Sequence, residues 1–144
     1  MADHLHKQIR DAFKTALTGL TTTGSRVFAN RTWPLTATDL PAIRLFTDDE
    51  EVEQSGLLGQ WRQRTLGLMV EACAKTGVNL DDTLDQIGQE IEIALASGIT
   101  VAGRTLYPVY AGMMMDFEED QPVGIKRHRF RLQYHAASAT PDSL

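Results

Sequence analysis

The chain holds one cysteine, Cys73, and only four histidines in 144 residues. A lone thiol excludes an intramolecular disulfide and any Cys-x-x-Cys metal or redox motif, and suits a reducing compartment. Its setting in an apolar stretch reads as that of a small core residue. His4 and His6 stand at the chain start, and His128 and His135 fall on opposite faces of a predicted strand. No Ser-His or Cys-His pair for nucleophilic catalysis can be nominated from them.

Long apolar runs are missing too. Nothing approaches the roughly 20 residues of a transmembrane helix, and "MADHLHKQIR" lacks the charged-then-apolar order of a signal peptide. The expectation is a chain that stays in the cytoplasm where it is made. Positive charge is in deficit, with 14 Lys and Arg against 19 Asp and Glu and a net charge of −5. That balance opposes whole-molecule attraction to nucleic acid or anionic membrane, although a local patch still acts over a Debye length of about 8–10 Å. Gly98, Gly103, Gly112 and Gly124 are dispersed, so no phosphate-cradling loop is present. "TDDEEVE" lacks the D-x-D-x-D-G pattern of a calcium loop and reads as solvated acid. No metal or cofactor is expected.

What remains is an ordinary globular composition, 42% hydrophobic and 23% charged. Its length suits one domain burying roughly two-thirds of its unfolded surface. Leu5, Ile9, Phe13, Ala16, Leu17 and Leu20 recur at helical spacing, which predicts an amphipathic helix capped by Asp3. "TTTGS" breaks it. "RVFAN" and "PAIRLF" (Pro41 to Phe46) read as short strands. Between them "RTWPLTATDLP" reads as a proline loop pinned by Trp33 and Leu40. The segment 47–60, with Asp48, Asp49, Glu50, Glu51 and Glu53, is expected to be an exposed acidic arm.

"WRQRTLGLMVEACA" alternates with strand period, and Asn79 opens a second helix whose stripe is Leu80, Leu84, Ile87, Ile91 and Leu95, ending at Gly98. A loop through Gly103 and Pro108 leads to two strands about "QPVG", where Pro122 and Gly124 suit a type I turn. Residues 1–137 are thus expected to form a single domain and 138–144 a flexible tail.

Four basic residues, Lys126, Arg127, Arg129 and Arg131, crowd the last strand. A turn centred on Pro122 and Val123 makes facing residue numbers sum to 245. Asp116 is then opposite Arg129, Glu118 opposite Arg127, and Met114 opposite Arg131, while Met113, Met115 and Phe117 share an apolar face with Leu132, Phe130 and His128. The basic run reads first as a charged strand face balanced by "DFEED". A partner-docking face and a nucleic-acid-reading strand are the alternatives, the latter weakened because Phe130 and Tyr134 alternate with the arginines.

The order of elements, with "IRDAFKTAL", "RVFANR", "ATDLPAIRLFTDDEEVE", "QRTLGLMVEACAK" and "RHRFRLQYHA", resembles the tail terminator proteins of long-tailed bacteriophages, the group that includes the lambda minor tail protein U. "SGITVAGRTLYPVYAGMMM" departs from that pattern. The resemblance implies an α+β fold, a mixed, largely antiparallel β-sheet with two main α-helices packed mostly on one face. It also implies a six-membered ring at the head-proximal end of the virion tail. Such a ring stops tube polymerisation and offers a joining surface to head-completion proteins, while viral DNA passes through without specific binding. No catalysis and no membrane are involved.

A head-to-tail ring needs two different complementary surfaces. The candidate interface residues are Asp48, Asp49, Glu50, Glu51 and Glu53 on the acidic side, with Arg62, Arg64, Arg127, Arg129 and Arg131 on the basic side. Another neck or head-tail joining protein, a small nucleic-acid-binding module, and an enzyme with a site between subunits are the competing readings.

Overall fold

Leu5, Ile9, Phe13 and Leu17 fall on one face of helix α1 (Leu5–Leu17) and are buried. The computed structural model describes residues 3–29, 37–56, 60–77, 79–117 and 122–144. The cap of α1 is His4 and not Asp3: the His6 backbone N–H donates to His4 Nδ1 at 3.0 Å. In helix α2 (Leu80–Ala96) the expected stripe is buried at Leu84, Ile87, Ile91 and Leu95, with Gly88 beside them. Gly98, at φ +88°, takes the left-handed conformation that ends it.

Strands β1 (Val27–Phe28), β2 (Ala42–Ser55) and β3 (Trp61–Lys75) precede or flank the helices. β4 (Ile99–Val101), β5 (Arg104–Leu106), β6 (Val109–Phe117) and β7 (Val123–Ala137) complete the chain. Five of them form one sheet in the order β1-β2-β3-β7-β6, with β1 parallel to β2 and every other pair antiparallel. The fold is therefore α+β. β4 and β5 form a separate two-stranded hairpin where a plain loop was expected; Ala102 and Gly103, both at positive φ, make its tight turn.

Leu66, Leu68 and Val70 of β3, together with Phe130, Leu132 and Tyr134 of β7, pack with α1 and α2 in one core. The opposite sheet face carries a smaller cluster of Cys73, Val123 and Ile125, against which Phe28 and Leu40 pack. Cys73 is a buried core residue, as its setting suggested. Trp33 and Pro34 of the proline loop lie outside the described residues.

Three expectations are corrected. Asp48, Asp49 and residues 51–54 are exposed, as expected, but 47–55 form no projecting arm: they are the second half of β2, paired with β3 from Glu50↔Leu66 to Ser55↔Trp61. Arginines on β7 reach across the sheet to carboxylates of that segment, which makes the acidic sequence tolerable as a strand. The β6–β7 register sums to 241 between Met113↔His128 and Phe117↔Gly124. Asp116 therefore faces Ile125, and Met114 faces Arg127; Glu118 lies outside the described residues. Val123 already pairs with Lys75 and is buried, so it is strand and not turn. The tail, finally, is docked: the Leu5 backbone N–H donates to the Pro141 carbonyl at 3.1 Å, and Gln8 Nε2 donates to the Asp142 carbonyl at 2.8 Å.

Candidate assembly interface

Strand alternation sends Arg127, Arg129 and Arg131 to the face of the sheet away from the helices, because their even-numbered neighbours fill the core. There they meet carboxylates of the same chain. Glu71 on β3, with no solvent exposure, accepts from Arg44 Nε of β2 at 2.6 Å and from Arg127 Nε of β7 at 2.5 Å. Arg127 also donates to Asp116 on β6 at 3.3 Å. One row of alternating charge thus crosses four strands. A buried carboxylate flanked by two guanidiniums is compensated where an isolated one would not be.

A second charged pair depends on a bulge. Thr47 pairs with Leu68 and Glu50 with Leu66, so Asp48 and Asp49 together oppose Gly67. Gly67 has no side chain to stand between β2 and β7, and Arg131 comes within 4.0 Å of Asp49 across it. Arg129 lies 3.9 Å from Asp48. Both pairs are solvent-accessible and each is worth under about 1 kcal/mol.

On the helix side, Glu50 is the hub of a different cluster. Tyr134 OH donates to it at 2.5 Å, Arg64 Nη1 at 3.4 Å, and His6 Nε2 lies 2.9 Å away. Burial and that hydrogen bond to a carboxylate raise the Tyr134 phenol well above the ordinary tyrosine range. Sequence reasoning missed this cluster. The sole available signal was Tyr134 in an otherwise apolar alternation, since a buried phenol requires a partner.

The candidate acidic and basic sets are therefore largely brought together within the one chain. Asp48, Asp49, Glu50, Arg64, Arg127, Arg129 and Arg131 all take part in ion pairs. Glu51 and Glu53 are exposed and make no ion pair among the described residues. Arg62 has a buried Nε without a hydrogen-bond partner among them. His128, expected at the rim of an apolar face, is 1% exposed beneath Gly88 of α2. Burial, and secondarily Lys126, lower its pKa to about 4. His135 is exposed on the other face.

The prominent surface feature is β6. Met113, Met115 and Phe117, expected to be covered, are exposed, as are Val109, Tyr110 and Met114. The helices cross β2, β3 and β7 and stop short of β6, the last strand of the sheet. Gly112 faces Arg129 in the register, and a cavity of about 170 Å³ opens there between Met69, Met113, Met114, Arg127 and Arg129. No group of His, Cys, Asp and Glu among the described residues is arranged to hold a metal ion. No helix among them is long and apolar enough to cross a membrane.

No protein-family model matches the chain, and no curated protein matches it. Among solved structures, a chain of one described as the virion of a native gene transfer agent particle is similar in fold. Its TM-score is 0.55 at 15% sequence identity, and the match covers 92% of each chain. At that identity the likeness establishes a shared fold.

Proposed function

We propose that this chain is a virion structural protein that acts as a tail terminator. Copies assemble into a ring, six-membered in the family it resembles, on the head-proximal end of a tail tube. The ring ends tube polymerisation and offers a joining surface to head-completion proteins, without catalysis. The observation that carries this reading is a fold shared along 92% of the chain with a component of a virion. The uncovered apolar strand β6 supports it, because exposed apolar patches of this kind mark protein contacts.

The charge arrangement supports a conduit for DNA over a DNA-binding strand. Arg127, Arg129 and Arg131 are each paired with a carboxylate of their own subunit. Phosphate retention depends on cations free to release counterions, so a neutralised stripe lets a polyanion pass.

The test is to add purified protein to tubes assembled from the tail tube protein and image them by negative stain. Ring-shaped caps and arrested tube length are expected. Tubes that elongate unchanged would refute the terminator role. Rings that leave tubes growing but bind head-completion proteins would favour a head-tail joining protein of the neck.

A further inference from the structure

The sheet has two unlike open edges. No strand among the described residues pairs with the outer side of β6. On the far side, β1 pairs with β2 only at Ile43 and Arg44, so Glu50 to Gln54 have no outer neighbour strand among the described residues. Strands β2, β3, β7 and β6 alternate in direction. A second copy rotated about an axis along the strands therefore brings its β2 antiparallel to β6, with helix faces and charged faces continuous. Repeating one such head-to-tail contact closes a ring.

β6 is built like a strand that is paired. Monomeric proteins protect long edges with lysine, proline or short length. β6 has nine residues, and of these six large apolar ones are between 39% and 63% exposed, while Asp116 is its one charge. The bulge between Tyr110 and Gly112 is its one irregularity.

The chemistry of the charged face selects the occupant. Within the subunit, glycine on an intervening strand lets an arginine meet a carboxylate one strand further on: Arg131, Gly67 and Asp49. The same arrangement recurs at the outer edge with its last member missing. Arg129, which lies 3.9 Å from Asp48 of its own chain on the inner side, also faces Gly112 on the outer side; the cavity lies over that glycine, and no strand among the described residues occupies the next position outward. On β2, Glu51 pairs with Thr65, which puts it on the charged face; it is exposed and makes no ion pair among the described residues.

We propose that β2 of one copy adds antiparallel to β6 of the next through Glu50–Gln54, with Glu51 over Gly112 and paired with the neighbour's Arg129. Val52, exposed on the helix side, then falls beside Tyr110, so apolar surface is covered in the same step. Glu51 stays about 13 Å along the strand from Asp116, which limits carboxylate repulsion. This contact rests on the ring reading above and names the surfaces that make it.

The test is a charge exchange read by mass photometry and negative stain, with melting curves run on each preparation. Arg129→Glu and Glu51→Arg alone should each require at least tenfold more protein to form rings. The double variant should assemble like the parent. An equimolar mixture of the two single variants should also form rings, since each altered residue then meets its complement on the neighbouring copy of an even-numbered ring. If Arg129→Glu melts early, Arg129→Gln supplies the same readout.

Single variants that assemble normally, or a mixture that fails while the parent forms rings, would overturn this contact and leave the ring reading standing. A parent that neither forms rings nor caps tubes would overturn both. Single variants that keep rings but lose tube capping would assign β6 to a tube partner and refute its pairing with a second copy.

Discussion

Asp49 on β2 meets Arg131 on β7 across the bare backbone of Gly67, on the strand that separates them. Glycine at this position accommodates the approach of a side chain and not a turn: a Cβ there would stand 2.2 Å from Asp49 Oδ1. That atom ends a solvent-accessible side chain and can swing away. Gly88 presents the contrasting case, because its Cβ would stand 2.8 Å from Cε1 of the buried His128 ring. We therefore expect Gly67→Ala to lower stability by under about 1 kcal/mol and Gly88→Ala by about 1–3 kcal/mol. Urea denaturation of both variants checks the order.

Glu71 holds two guanidiniums in the sheet, one from Arg44 and one from Arg127. Replacing it with glutamine removes the buried anion that the two cations share, while Arg127 keeps its contact with Asp116 at 3.3 Å. Breaking a buried pair from one side costs about 3–5 kcal/mol. Glu71→Gln should show a loss of that order in chemical denaturation, far beyond the effect of Glu53→Gln at the exposed end of β2.

His128 makes stability fall in mild acid. Its folded-state pKa is about 4, against an ordinary value of 6.5, so the native state keeps it neutral while the unfolded chain protonates it. Its contribution is complete above pH 6.5, declines as pH falls toward 4, and is constant below that. At about 1.4 kcal/mol per pH unit of displacement the loss reaches at most about 3 kcal/mol. Tyr110, Lys126 and Asp85 are its polar surroundings, and none supplies an anion in direct contact with the ring. The difference in unfolding free energy between the parent and His128→Gln, measured from pH 7 to 4, should change with this profile; a constant difference would contradict it.

Glu50 and Glu51 are adjacent in sequence and opposite in role. Glu50 accepts from Tyr134 and Arg64 on the helix side, whereas Glu51 projects from the charged face into solvent. Glu50→Gln should cost about 1–3 kcal/mol, because it weakens a partly buried charged network. Glu51→Gln should leave the melting temperature within the range of an ordinary surface change, about 0.5 kcal/mol. Thermal melts separate the two, and ring formation should respond to Glu51 independently of stability.

The sequence by itself determined the helices, the long central strand and the sidedness of the last two strands. Leu5, Ile9, Phe13 and Leu17, and likewise Leu84, Ile87, Ile91 and Leu95, can share a face only on a helix. Phe130, Leu132 and Tyr134 can point the same way only on a strand. Register was beyond it: a period of two is unchanged by a slip of four residues, so a sum of 245 and the observed 241 assign the same parity and different neighbours. The acidic half of β2 was illegible for a related reason. Five carboxylates without apolar alternation look like solvated chain until arginines from β7, 80 or so positions later, are laid beside Asp48 and Asp49. Tertiary structure also decided that Met113, Met115 and Phe117 stay uncovered, because two helices are too few to span the sheet as far as β6.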